Sequence, residues 1–446
     1  MQAISCRMRT ALTIAGVDSG GGAGISADLK TFAALGIHGT SVITSVTAQN
    51  TKGVLGSYDI PAAFIEKQFD AVVSDIRIDC AKTGMLSSPE IVKTVAKLVR
   101  KQKLPLVIDP VMAAEAGGKL LMEEAVSVLI EELLPLATVV TPNVFEASVL
   151  SGIDIKDMKD AEKAAMKIHG LGAGAVIVTG GHLAGTDILY DGKITYIEGT
   201  LVEAEGTHGS GCTHSAAITA GLAKGAALED AAILAKRFVE NAILNGVRIG
   251  EGVAPVNPVG KVLADAGRFH VLRNVEEAVS LIGKKMQPWL VAEVGCNIAM
   301  GITDAKSVMD IAAVSGRIVR LNDAAHAVGC VSFGASSHIA RIVLTAMHYD
   351  NSVRAAMNIR YSQEALLACK KLGLSVSSFR RQDEPEGIST MEWGVADAIK
   401  REGKVPDVIY DKGDVGKEPM IRLLGKNAQQ VAEMAVRIGA MMRRTP

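Results

Sequence analysis

The chain has almost no net charge. Lys and Arg number 47 against 48 Asp and Glu, so no overall field favours nucleic acid, and an anionic substrate must be held by local groups. A nucleic-acid partner is not expected. The six cysteines, Cys6, Cys80, Cys212, Cys296, Cys330 and Cys369, contain no C-x-x-C pair, which suits reduced thiols in a cytosol. Disulfides are not expected either. No uncharged apolar run reaches membrane-spanning length, and the apolar piece "ALTIAGV" after Arg7 and Arg9 stops at Asp18 without a cleavage-like end. A cytoplasmic protein without a membrane partner is the expectation.

What is present is enough apolar material for a large core. Apolar residues make up 48% of 446 residues and charged residues 21%, which fits a globular chain of at least two domains. From residue 11 to about 249, short apolar runs ("LTIAG", "VITSVTA", "LPLVID", "ATVVTP", "AVIVTGG") alternate with amphipathic segments such as "PEIVKTVAKLVRKQ". That alternation predicts a mostly parallel sheet covered on both faces. The Gly- and Pro-bearing stretch "GEGVAPVNPVG" at 250–260 propagates neither helix nor strand easily, so a linker is placed at 256–270, between domains 1–255 and 271–446. The second half predicts an unlike α/β domain: helix "VEEAVSLIGKKM", strands "GRIVRL" and "GCVSFG", helix "SSHIARIVLTAMH", strand "AAMNIRY" and a final helix "NAQQVAEMAVRIGAMM".

Four stretches of the first half carry candidate chemistry. In "AGVDSGGGAGISADLKT", Asp18 and a glycine run including Gly20 join a strand to a helix, where backbone approaches a ligand closely. Gln49 and Asn50 end "SVTAQN", and an amide there reads the donors and acceptors of a heterocycle. Asp109 in "VIDPVM", and Asn143 and Glu146 in "VVTPNVFEA", follow strands, at the end where ligands gather on parallel sheets; their oxygens are candidates for Mg²⁺ beside phosphates. Each is otherwise a helix cap. The fourth stretch, "THGSGCTHSAA" at 207–217, admits a phosphate cradle, an activated thiol or a metal cluster. The amides of Gly209, Ser210, Gly211 and Cys212 would face an anion at a helix N-terminus. A metal is disfavoured, because His214 falls roughly opposite Cys212 on the helix. Cys212 is expected to be a low-pKa thiol, with an inert buried cysteine as its alternative.

Together these motifs and "TGGH" resemble the hydroxymethylpyrimidine and hydroxymethylpyrimidine phosphate kinases, a ribokinase-like family, over residues 10 to about 250. The resemblance implies a three-layer α/β/α domain that uses ATP and Mg²⁺ to phosphorylate 4-amino-5-hydroxymethyl-2-methylpyrimidine and then its monophosphate. By implication Gln49, with Asp18 and Gly20, holds the pyrimidine. Asp109, Asn143 and Glu146 serve Mg²⁺ and nucleotide phosphates, with Asp109 and Glu146 as metal ligands. Gly209, Ser210 and Gly211 form an anion hole, and Cys212 stands where many ribokinase-like sugar kinases place an aspartate base. Three positions depart from the family's usual wording: Thr179 for a lysine, Ser210 for threonine and His214 for an apolar residue. The loss at Thr179 removes one expected phosphate contact. A sibling kinase acting on pyridoxal or a sugar is the rival reading.

In the second half, Ser336, Ser337 and His338 open a helix with Arg341 one turn on, a candidate phosphate or pyrophosphate site. Arg317 and Arg320 in "GRIVRL" stand three apart, so strand alternation would turn them to opposite faces. "VAEVGCNIAMGI", "GRIVRL", "FGASSHIAR", "MNIRYS" and "GKEPMIRLLG" resemble archaeal-type thiamine phosphate synthase domains over most of 272–446. This implies condensation of the pyrimidine diphosphate with hydroxyethylthiazole phosphate to thiamine monophosphate. Charge on the departing pyrophosphate calls for cationic and amide partners, so Arg317 and His338 are the candidate catalytic residues, and Ser336, Ser337 and Arg341 the candidates for binding substrate. The alternative is a non-catalytic thiamine-phosphate-sensing domain. A homo-oligomer is the expected assembly.

Overall fold

The computed structural model describes residues 7–113, 120–181, 183–202, 204, 206–384 and 390–442. His182, the last residue of the "TGGH" motif, lies outside them. The chain divides into two compact units, Met1–Leu263 and Ala264–Pro446.

In the first unit the strands are β1 (Thr10–Asp18), β2 (His38–Asn50), β3 (Gly53–Asp59), β4 (Cys80–Thr83), β5 (Leu106–Ile108), β6 (Val139–Val140), β7 (Val176–Val178), β8 (Asp187–Tyr190) and β9 (Ile194–Ile197). They form one sheet in the order β3-β2-β1-β4-β5-β6-β7-β8-β9. β2 through β7 pair in parallel, and the outer strands pair antiparallel. Every residue of β4, β5, β6 and β7 is buried, because helices cover both faces. Alternate side chains feed two cores: Leu106, Ile108 and Val140 join one, while Val107, Val139 and Ile177 join the other. The second core also takes Ala216, Ala217 and Ala220 from the helix Ser210–Ala223, in which ten of fourteen residues are buried. Small side chains let that helix lie close to the sheet. The expected three-layer arrangement is present, and it brings Asp18, Asp109, Asn143 and Thr179 to the carboxyl ends of the parallel strands.

The expected linker is corrected. A helix runs Gly260–Lys285, so residues 260–270 are regular structure. Residues just before it are part of the first unit: Val253 N donates to Thr51 O (2.9 Å), Val256 N to His208 O (3.0 Å) and Asn257 N to Ala242 O (2.9 Å). Ala254 and Val256 are buried. A Gly- and Pro-containing stretch can thus be a packed segment rather than a spacer when its amides find partners elsewhere in the fold.

The second unit adds β10 (Ile298–Gly301), β11 (Ile311–Val314), β12 (Ile318–Leu321), β13 (Ala324–Ala327), β14 (Val331–Phe333), β15 (Ala355–Arg360), β16 (Val376–Ser378), β17 (Val408–Asp411) and β18 (Met420–Gly425). Seven of them form a sheet in the order β14-β11-β10-β15-β18-β17-β16, and β12 and β13 make a separate hairpin. Only β16 and β17 pair in parallel; the other pairs are antiparallel. Ile298 and Met300 enter one core and Ala299 the other, so this sheet is also covered twice. The two α/β units are unlike, as expected. Among the described residues no helix is long and apolar enough to cross a membrane.

Truncation tests the corrected boundary. A fragment ending at residue 263 should unfold in one transition, whereas one ending at 252 loses the bonds to Thr51, His208 and Ala242 and should melt roughly 10 °C lower. Equal melting temperatures, read by differential scanning calorimetry, would return 253–258 to the status of a spacer.

Candidate active sites

A cavity of about 570 Å³ opens in the first unit at the carboxyl ends of its parallel strands. β1 delivers Asp18, whose carboxylate accepts bonds from the amides of Gly20 (2.7 Å), Gly22 (3.0 Å) and Ala23 (2.9 Å). His208 Nε2 stands 3.0 Å from the same carboxylate and 3.4 Å from Gln49 Nε2. Burial alone would raise the Asp18 pKa, but His208 and the loop amides outweigh it and hold the carboxyl below its usual range. Asp18 therefore shapes the glycine loop, and Gln49 and His208 remain on the cavity wall. Gly20 is not part of that wall, because its amide is turned to Asp18.

β4 delivers Lys82, which is completely buried. Its ammonium lies 2.7 Å from Asp28 Oδ1 and 3.8 Å from Asp109 Oδ2, and donates to the carbonyl of Cys212 at 3.5 Å. Burial by itself would discharge the lysine, but Asp28 and Asp109 hold its pKa above the ordinary value. Thr13 Oγ1 donates to Asp28 (2.6 Å) and Ser215 Oγ to Asp109 Oδ2 (2.9 Å). Five segments are tied at this point: β1 through Thr13, the helix Gly24–Ala34, β4, the end of β5 and the first turns of the helix Ser210–Ala223.

Asn143 and Glu146 form a reciprocal capping box. Asn143 Oδ1 accepts from Glu146 N (2.9 Å), and Glu146 Oε2 from Asn143 N (2.9 Å). Both residues still line the cavity. Glu146 is buried without an ion pair among the described residues. Burial first, and Asp109 second, push its pKa up to about 8. A buried carboxyl beside a second carboxylate suits a hard divalent cation with oxygen ligands. Asp109 and Glu146 thus fit Mg²⁺ as candidate holders. No group of three His, Cys, Asp or Glu side chains fit for a metal occurs among the described residues. His208 turns to Asp18 and His214 to Asp187.

Gly209 caps the helix Ser210–Ala223 with φ of 84°, a conformation that favours glycine. A Cβ there would overlap the carbonyl oxygen of Gly22. Gly209, Ser210, Gly211 and Cys212 line the cavity at the positive end of the helix. The expected low pKa of Cys212 is corrected: burial, then Asp109, push the thiol up to about 12 despite Lys82. The helix dipole is outweighed by loss of solvent and by neighbouring carboxylate. Thr179, Asp187, Lys236 and Glu240 complete the wall. Asp187 Oδ1 takes bonds from Gly180 N (2.7 Å) and Lys236 Nζ (2.8 Å).

The second unit holds a small cavity of about 90 Å³ lined by Asn297, Arg317, Ser336, His338, Asn358, Arg381 and Arg422. Arg317 sits in the turn before β12, where the expected strand has not yet begun, and reaches the cavity. Buried Asn297 sets that turn, donating to Val314 O (3.0 Å) and Gly316 O (3.1 Å). Arg320 is exposed and donates to Asn322 O. Asp411 holds Arg381 at 2.7 Å and Arg422 at 2.8 Å, so the arginines outnumber their carboxylate. His338, on the exposed rim of this cavity, has its pKa lowered by partial loss of solvent and then by Arg422, Arg317 and Arg381, which favours the neutral imidazole beside a cationic wall. Ser337 and Arg341 lie outside this wall. Arg341 is exposed beside Glu392 at 3.5 Å, because the helix Ser337–Tyr349 turns that position toward its neighbouring helix.

Lys82, Asp187, Lys236, Arg381 and Arg422 were not among the sequence candidates, and His208 entered only through the disfavoured metal cluster. Lys82 and Arg422 carry a local signal, each as a charge inside a fully buried strand.

The thiols give a direct check. Burial puts Cys80, Cys212 and Cys296 at about 12 and Cys369 at about 11, whereas Cys330 is exposed. Because only the thiolate is alkylated, iodoacetamide at pH 8 should label Cys330 first among the described cysteines, with Cys212 at least ~100-fold slower. Peptide mass spectrometry showing comparable rates would mean that Cys212 is an activated thiol after all.

Comparison with known proteins covers both units. Residues 18–257 match the family model for phosphomethylpyrimidine kinase, and residues 274–437 that for the thiamine-phosphate synthase ThiN. The bifunctional thiamine biosynthesis protein ThiDN of Methanocaldococcus jannaschii is 37% identical over 95% of this chain and 96% of its own. A hydroxymethylpyrimidine/phosphomethylpyrimidine kinase of Rhizobium meliloti is 48% identical over 55% of this chain and 96% of its own. Among solved structures, the ADP complex of Bacillus subtilis pyridoxal kinase is similar with a TM-score of 0.54 at 41% identity, covering 58% of this chain and all of that one. The first unit thus has the ribokinase-like kinase fold of its pyridoxal and phosphomethylpyrimidine kinase relatives, and the two matches follow one another along one chain as they do in the Methanocaldococcus protein. The chain belongs to the family of bifunctional thiamine biosynthesis proteins that join a phosphomethylpyrimidine kinase to a ThiN-type thiamine-phosphate synthase.

Proposed function

We propose that the first unit uses ATP to phosphorylate 4-amino-5-hydroxymethyl-2-methylpyrimidine and then its monophosphate. The second unit joins the resulting diphosphate to hydroxyethylthiazole phosphate, giving thiamine monophosphate and pyrophosphate. The observation that carries the kinase reading is a single cavity where a helix N-terminus, two carboxylates and a neutral thiol meet. Gln49 would read the pyrimidine edge. Asp109 and Glu146 would hold Mg²⁺, which supplies charge neutralisation of the nucleotide phosphates. The amides of Gly209, Ser210 and Gly211 would face the transferred phosphoryl group. Names of the relatives favour the pyrimidine over pyridoxal, and the cytosol remains the expected compartment for a chain with unpaired cysteines.

In the first step the alcohol oxygen attacks the γ-phosphorus, the bond to ADP breaks and the alcohol proton leaves. The second step starts from an anionic phosphate oxygen and needs no proton removed. A thiol at about 12 cannot serve as a preformed thiolate near neutral pH, but it can hold the alcohol by a hydrogen bond while the proton leaves late in a loose transition state. It also does not repel an incoming monophosphate, as a carboxylate there would. In the second unit the thiazole nitrogen attacks the methylene and the C–O bond to pyrophosphate breaks. Arg317, Arg381, Arg422 and His338, which line one cavity, would receive the leaving anion, and Ser336 would add a hydroxyl. A sensing domain would bind the same phosphates without consuming them.

Purified protein given ATP, Mg²⁺, the pyrimidine alcohol and thiazole phosphate should produce thiamine monophosphate with one pyrophosphate released per molecule formed. Bound but unconsumed thiazole phosphate would favour the sensor. Cys212→Ala should slow phosphorylation of the alcohol ~10-fold or more and of the monophosphate less than ~3-fold; equal losses would leave Cys212 with packing alone. Supplied directly with the diphosphate, Arg317→Ala or His338→Ala should lose ~30- to 1000-fold in synthase rate with kinase turnover unchanged. Arg320→Ala, outside the cavity, should stay near wild type, and full synthase activity in all three variants would remove the proposed anion site.

A further inference from the structure

Two residues beyond Cys212, the helix Ser210–Ala223 presents His214 in the opposite direction, a consequence of helical spacing. Cys212 belongs with Lys82 and Asp109, whereas His214 belongs with Asp187. His214 exposes 4% of its surface and lines the cavity. Its Nε2 lies 3.2 Å from Asp187 Oδ2, within ion-pair reach, but at an angle that leaves both ring nitrogens without a hydrogen bond in the protein. Gly180 N and Lys236 Nζ both serve Asp187 Oδ1, so Asp187 Oδ2 faces His214 Nε2, and Nδ1 has no hydrogen-bond partner of its own among the described residues. Buried polar atoms are seldom left this way, so the cavity wall carries an imidazole whose hydrogen-bonding capacity awaits an occupant.

The charges around it say which occupant. Asp187 on β8 and Lys236 on the helix Leu228–Leu244 neutralise one another at 2.8 Å. Glu240 of that helix lines the same cavity with Oε1 accepting from Thr200 N. Asp28, Lys82 and Asp109, from the other elements packed on His214's helix, face Cys212, and Asp18 is paired with His208. With Glu240 counted, a polyanion entering beside Lys236 meets a net negative wall, and a proton on His214 offsets that charge.

We propose that His214 contacts the phosphate chain of the nucleotide as an imidazolium alongside Lys236, which makes nucleotide affinity depend on pH. This rests on reading the cavity as a nucleotide site. An anion beside an imidazole favours its protonated form, so the contribution is largest at low pH and fades as pH rises through the histidine range.

The test is calorimetric binding of MgADP to the full chain at pH 6, 7 and 8, for wild type, His214→Leu and His214→Gln. The ratio of variant to wild-type Kd cancels the nucleotide's own titration. It should be ~10 or more at pH 6 and fall below ~3 at pH 8. Gln keeps a donor of similar size without the charge, so it should behave as Leu does, and it carries the test if Leu fails to fold. A ratio near one throughout, or a ratio that does not change with pH, would overturn the proposal. If wild type binds no MgADP at any pH, the nucleotide reading of the cavity falls and His214's role with it.

Discussion

A lysine with no access to water organises the kinase site. Lys82 sits between Asp28 and Asp109 and bonds the carbonyl that begins the cavity-facing helix. Ion pairs of this depth contribute little net stability, since desolvation offsets their attraction. The return for this one is positional. It fixes the Asp109 oxygen that Ser215 also holds, and it sets the helix N-terminus against the strand ends. Without that cation, the Asp28 and Asp109 carboxylates would repel one another across a dry interior.

The two units handle phosphate by different balances of charge. In the first, acidic groups dominate the cavity, and the anion is met by amides, by a helix terminus and by a cation the carboxylates can share. In the second, arginines outnumber Asp411 and the anion is met by side-chain charge directly. The difference follows the chemistry proposed for each. Phosphoryl transfer needs a metal-bridged nucleotide held in line, whereas displacement of pyrophosphate needs only a place for its developing charge. Sheet topology agrees: parallel strands collect their ends at one edge, and the antiparallel sheet of the second unit instead uses turns and one helix start.

Much of the first site could be read from sequence because apolar segments of its parallel strands end at or shortly before Asp18, Asn50, Asp109 and Asn143. Each stop marks a strand end, and strand ends share one edge. Lys82 could not be assigned in this way. Its partners are far along the chain, and a charge inside an apolar strand has meaning only once they are known. The ionisation of Cys212 was equally hidden, because helix position argued for a thiolate and burial decided against it. Arg341 stands near His338 in sequence, yet pairing with Glu392 takes it elsewhere. The stretch at 253–258 has the composition of a spacer and the hydrogen bonds of a core segment; composition reports conformational preference, not partnership.

The role given to Lys82 is tested most directly by comparing Lys82→Met with the double variant Asp28→Asn/Lys82→Met, in melting temperature and in phosphorylation of the pyrimidine monophosphate. The single change strands a buried carboxylate and should cost about 3 to 5 kcal/mol of stability. The double change removes both charges and should recover most of that stability while kcat stays at least ~100-fold down, because Asp109 and the helix start are no longer held. A double variant as active as wild type would contradict the account and make the buried pair a matter of folding alone.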